Sequence, residues 1–79
     1  KMELEKMIKL LEDACNVEYD INDFDSIEAL LYNYYIDSEM FTQNELDLIT
    51  NINGWNVETF NDVLYSRYGY RDLEQMLEE

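Results

Sequence analysis

The stretch NINGWNVETFNDVLYSRYGYRDLEQMLEE, residues 51–79, decides the fold. Asn53-Gly54 stops one helix, because glycine enters the left-handed C′ conformation without a Cβ clash. Asn56 caps the next, and Trp55 just before it is spaced to pack on Phe60 as a hydrophobic staple. This spacing predicts a buried Trp55. Val57, Phe60, Val63, Leu64 and Tyr68 then recur with helical spacing until Gly69, beyond which Tyr70, Leu73, Met76 and Leu77 form a short last helix.

The same device recurs upstream. Thr42 and Glu45 have the spacing of a capping box, with Phe41 placed to staple onto Leu46, and this helix runs to about Ile52. Asp25 with Glu28 three residues on predicts a further N-cap, ahead of the helical face Ile27, Leu30, Leu31, Tyr34 and Tyr35. Leu4, Met7, Ile8, Leu11, Ala14 and Cys15 form one face of a first helix, with Glu5 four residues before Lys9. The aromatic-then-cap pairs at 24/25, 41/42 and 55/56 are 17 and 14 residues apart with unlike sequences between them, so they are convergent caps and no repeat. Tyr32 to Ile36 is aromatic enough that a short strand stays open there. The expected fold is all-α, a compact bundle of four to five short helices in a single domain, residues 1–79.

Composition limits the chemistry. A chain of 79 residues allows one domain, and 47% apolar content, including Trp55, three Phe and seven Tyr, suffices for a core. One cysteine excludes an intrachain disulfide, and the absence of histidine removes the usual general base and zinc ligand. Cys15 lies on an apolar helical face as core filler. Asp20-x-Asn22 and Asn51-x-Asn53-Gly54 resemble fragments of a calcium loop. Leu31 in the first register, and Ile49 and Phe60 in the second, occupy positions that need ligands. The expectation is a non-enzyme with no cofactor and no metal. No apolar run approaches the roughly 20 residues that span a bilayer, and the first residues lack a signal-peptide layout, so the expected location is the cytosol, away from membranes.

Charge carries the functional reading. Nineteen acids against five bases give a formal net charge of −14. Lys1, Lys6 and Lys9 lie at one end and Arg67 and Arg71 near the other. From Leu10 to Ser66 there is no cation, yet thirteen acids occur: Glu12, Asp13, Glu18, Asp20, Asp23, Asp25, Glu28, Asp37, Glu39, Glu45, Asp47, Glu58 and Asp62. A solubilising surface normally mixes signs, because like charges repel in the compact state, so the acidity serves either solubility alone or the attraction of a basic partner. Direct nucleic-acid binding is excluded by the lack of Lys and Arg for phosphate contacts.

Asp25-Ser26-Ile27-Glu28 at a helix start resembles the Asp-Ser-Leu motif of acyl carrier proteins. That resemblance implies a phosphopantetheine arm on Ser26; the alternative is ordinary capping chemistry. Asp23 stands where that family has glycine. In size, acidity and lack of catalytic residues the chain is similar to phage-encoded anti-restriction and anti-CRISPR proteins, a likeness of composition without a shared motif. It implies an inhibitor that mimics nucleic acid in the basic cleft of a nucleic-acid-binding enzyme. Acids one helical turn apart stand about 6 Å apart, comparable with phosphates along a strand. The pairs 18/20, 23/25, 37/39 and 45/47 fall at expected links, caps and a first turn, where carboxylates converge. The partner-binding candidates are therefore Asp20, Asp23, Asp25, Asp37, Glu39, Glu45 and Asp47, facing a basic protein. The competing expectation is a general interaction module, homodimers included, that binds through exposed tyrosines with Tyr32, Tyr35 and Tyr65 as contacts.

Overall fold

The computed structural model describes residues 2–78. Its elements are α1 (Met2–Cys15), a single 3-10 turn (Ile21–Asp23), α2 (Ile27–Asp37), α3 (Gln43–Asn53), α4 (Val57–Tyr68) and α5 (Leu73–Glu78). No strand occurs among the described residues, and Tyr32 to Ile36 lies inside α2.

Helices α2 to α5 each start where a short polar side chain satisfies an amide donor that lacks a partner in the first turn. Thr42 and Glu45 form the expected capping box. Asn56 Oδ1 accepts from the Thr59 amide, and Asp72 Oδ1 from that of Gln75. At α2 the cap is Ser26 and not Asp25: the Ser26 Oγ accepts from the Ala29 amide at 3.2 Å, which leaves Asp25 one residue outside the helix. Glu28 then sits one position too early for a capping box.

The helix ends use three solutions. Gly69 takes the left-handed conformation that closes α4 (φ 84°, ψ 7°). Gly54 departs from the expected left-handed cap and takes φ 107°, ψ 158°, a region open to glycine alone. A Cβ there would lie 3.0 Å from Asn56 Nδ2. At the end of α2, the Met40 amide donates to the Tyr35 carbonyl and the Glu39 amide to the Ile36 carbonyl. This is a Schellman arrangement with Glu39 at the left-handed position (φ 63°) that glycine usually fills.

The core draws at least one fully buried residue from every helix: Leu11, Leu30, Tyr35, Leu46, Phe60, Leu64 and Leu73. α1 packs against α2 and α5, α2 against α4, and α4 against α3. Tyr35 is the aromatic hub, its ring centroid 5.2 Å from that of Phe41 and 6.0 Å from that of Phe60. The radius of gyration, 11.8 Å, matches the roughly 11.6 Å expected of a compact chain of this length.

Trp55 corrects the sequence reading. The staple forms, edge-to-face on Phe60 at 5.5 Å, yet Trp55 stays 50% exposed. A staple needs one face of the ring. Phe60 and Tyr32 cover part of Trp55, and its place between α3 and α4 leaves the rest in water.

Tyr35→Ala is expected to cost about 3–5 kcal/mol, a large share of the stability of so small a domain. Tyr35→Phe should cost at most about 1 kcal/mol, because the hydroxyl reaches the Phe60 carbonyl only at 3.5 Å. Trp55→Ala should cost about 1–2 kcal/mol as a half-exposed ring, and Glu39→Gly should gain about 0.5–1 kcal/mol by relieving the left-handed turn. Urea unfolding of the four variants checks the ranking.

Candidate partner-binding surface

The link from α1 to α2 carries the densest acidity. Asn16 leaves α1 in the left-handed conformation (φ 60°). The chain then turns back along α1, and Asp20 caps the 3-10 turn by accepting from the Asn22 amide at 3.0 Å. Glu12, Glu18, Asp20 and Asp23 thereby line one shallow depression together with Tyr19. Tyr19 donates from its hydroxyl to Asp37 at 3.3 Å and so brings a fifth carboxylate to the cluster. Partial burial, then the charge of Asp37, pushes the Tyr19 phenol up to about 12, so it stays a neutral donor.

The remaining candidates are dispersed. Glu45 and Asp47 do not converge, because both lie within α3, where residues two apart point to nearly opposite sides. Glu45 accepts two hydrogen bonds from the Arg67 guanidinium, at 3.1 and 2.6 Å, and that guanidinium also lies over the Phe41 ring at 4.8 Å. Glu45, one of the expected partner contacts, is thus held in a structural ion pair while staying partly exposed. Arg67 lies far away in sequence, and only the fold brings it over α3. Asp47 accepts from the Tyr32 hydroxyl at 2.7 Å; this bond, and secondarily burial, raises the Tyr32 pKa. Asp25 is exposed, and Glu39 sits in the turn after α2.

The tyrosines are mostly occupied. Tyr35 is fully buried and cannot contact a partner, since its ring fills the core. Tyr34 is buried too, with Cys15 Sγ 3.3 Å from its hydroxyl. Tyr19, Tyr32 and Tyr70 are half-buried, and Tyr68 donates to the Met40 carbonyl. Tyr65 alone of the three tyrosine candidates is largely exposed, at 66%.

The sequence reading missed two features. Glu12 belongs to the acidic cluster, but as one polar residue on an amphipathic helix it carries no signal until the link folds over α1. Leu48, at 62% exposure, and Ile52, at 72%, stand outside the core with Trp55. A signal did exist: Leu46, Leu48, Ile49 and Ile52 spread too far around α3 for one buried stripe.

Among the described residues, three ion pairs form: Lys6–Glu74, Arg67–Glu45 and Arg71–Asp72. Among the described residues, Glu45 is thus the single acid of the central thirteen that forms an ion pair. No group of acidic side chains among the described residues is arranged to hold a metal ion, and no helix there is long and apolar enough to cross a membrane. A mixed hollow of about 190 Å3, with Met7, Ile27, Leu31 and Glu74 in its wall, lies below the roughly 300–1,000 Å3 typical of small-molecule sites, whereas the acidic depression, about 880 Å3, falls within that range but is wide open to solvent. The Ser26 hydroxyl, the modification point that the carrier-protein resemblance implies, is the α2 cap acceptor. Comparison with protein-family models, with curated proteins and with solved structures gives no match.

Arg67 and the Thr42 amide hold the Glu45 carboxyl down at about 2, against an ordinary value of 4.5. A folded-state pKa below the unfolded one adds stability that is complete above about pH 4.5 and lost as pH falls toward 2. Glu45→Gln keeps a capping acceptor and lacks that contribution. The wild type should therefore melt above Glu45→Gln at pH 7, the gap closing between pH 4.5 and 2 and narrowing with salt, because the pair is exposed. Melting scans of both proteins across this range check it.

Proposed function

We propose that this protein is a small acidic inhibitor that binds a basic protein and occupies its nucleic-acid-binding cleft as a mimic of the polyanion. One observation carries the reading: among the described residues, twelve of the thirteen central carboxylates form no ion pair, although Lys9 borders a hollow with Glu12 and Asp20. Five of these twelve gather around Tyr19. Their mutual repulsion destabilises the compact state, and a basic partner would offset it.

The mechanism is competitive occupancy. Glu12, Glu18, Asp20, Asp23 and Asp37 present fixed negative charge from a folded body, so less ordering accompanies binding than with a flexible acidic tail. The field of the whole chain steers a cationic cleft toward them and raises the association rate. Arginine and lysine side chains of the cleft then pair with carboxylates in place of phosphates. The tyrosine-led alternative has less support, because Tyr35 is internal and the Tyr32 hydroxyl is engaged by Asp47.

The test is capture from a lysate of the native cell on immobilised protein at about 50 mM salt, followed by elution with duplex DNA or RNA. The captured protein should be a basic nucleic-acid binder. Nucleic acid should displace it, and it should come off as salt rises toward about 500 mM, over which the Debye length shrinks roughly threefold. The variant Glu12→Lys/Glu18→Lys/Asp23→Lys, whose three side chains cap no helix, should retain little of it. A partner that stays bound at high salt, binds nucleic acid at the same time, and is captured equally by the triple variant would overturn the proposal.

A further inference from the structure

α3 is eleven residues long and buries a single side chain, Leu46, whereas α2 of the same length buries four. Its outward side carries Leu48 and Ile52, one turn apart and largely in water. At the C-terminal end of α3 stands Trp55, half-exposed. Tyr32 ties Trp55 to the acidic surface, its ring 5.4 Å from the indole and its hydroxyl on Asp47. The result is two aliphatic side chains, an open indole and a carboxylate fixed in orientation, all on or beside one helix.

We infer that this face is where a partner segment bearing both apolar and arginine side chains docks, with aliphatic groups on Leu48 and Ile52 and a guanidinium stacked on Trp55 beside Asp47. The occupant follows from charge. A second copy would bring another chain of net charge −14 against the first, whereas a cationic segment is attracted. Arginine suits the Trp55–Asp47 pair better than lysine, because its planar guanidinium stacks on a ring while it donates to a carboxylate. The inference rests on the reading of a basic partner and adds what a polyanion alone lacks: an apolar anchor that slows dissociation where the acidic field speeds association.

The probe is a synthetic 18-residue amphipathic helix with leucines on one face and arginines along its edges. Its controls are the lysine version and an arginine homopolymer of equal charge. Trp55 is the chain's sole tryptophan, so its emission reports the site directly. The expected result is a Trp55 emission change that saturates with the arginine–leucine peptide, with amide shifts centred on α3. Affinity should fall at least tenfold in Leu48→Ser/Ile52→Ser, and less than threefold in Glu12→Lys/Glu18→Lys/Asp23→Lys. Circular dichroism checks that each variant folds, and Ile52→Ser alone serves if the double variant does not. Equal binding by the homopolymer, unaffected by the serine changes, would overturn the docking face and leave the basic-partner reading standing. Docking on α3 that ignores salt and prefers neither cation would keep the face and remove the basic partner. No binding, shifts centred elsewhere, or sedimentation as a dimer dissociated by Leu48→Ser/Ile52→Ser would overturn the inference.

Discussion

The ring of Tyr35 is the contact on which the other elements depend. It reaches Phe41 ahead of α3 and Phe60 in α4, and its carbonyl receives the Met40 and Phe41 amides that turn the chain out of α2. One residue thus sets both the centre of the core and the direction in which α3 departs. The hydroxyl contributes little, being 3.5 Å from its acceptor, while burial holds the phenol well above its ordinary pKa and keeps it neutral. A tyrosine expected at the surface is therefore the core's largest fully buried side chain.

With so few residues, a core built this way leaves α3 at the periphery. Leu46 reaches inward, and the Glu45–Arg67 pair over Phe41 clamps the other side of the helix. The clamp takes up one of five basic residues, and Lys6 and Arg71 face acids of α5 and the residue before it. Among the described residues that leaves Lys9, which borders the α1–α2 link beside Glu12 and Asp20 without forming an ion pair. The free acids and the exposed aliphatic residues are two consequences of the same shortage of chain.

Much of the fold was legible in the sequence because capping chemistry is local. Thr42 with Glu45, Asn56 and Gly69 sit at the boundaries they predict. Ser26 and Asp25 are neighbours of equal capping aptitude, and only the backbone chooses between them. Glu39 was illegible as a turn residue, since glycine is the usual signal and glutamate takes that conformation here at a cost. The candidate site was read less well. Asp20, Asp23 and Asp37 come together around Tyr19, but the closing of the link over α1 and the reach of Arg67 to Glu45 are tertiary events, invisible to spacing. Trp55 was placed by the staple and its exposure was not, because a staple constrains one face of a ring.

We propose that the acidic cluster which folding leaves on the link is self-repelling and is kept at the expense of stability for binding a basic partner. The melting temperature of Glu12→Lys/Glu18→Lys/Asp23→Lys against the wild type, at about 20 mM and about 500 mM salt, tests it most directly. The variant is expected to melt several degrees higher at low salt, each kcal/mol being worth about 4–8 °C in a domain of this size, with the gain shrinking as salt screens the charges. A variant that melts lower at low salt would contradict it, because those carboxylates would then be stabilising partners of the fold and not an unneutralised surface.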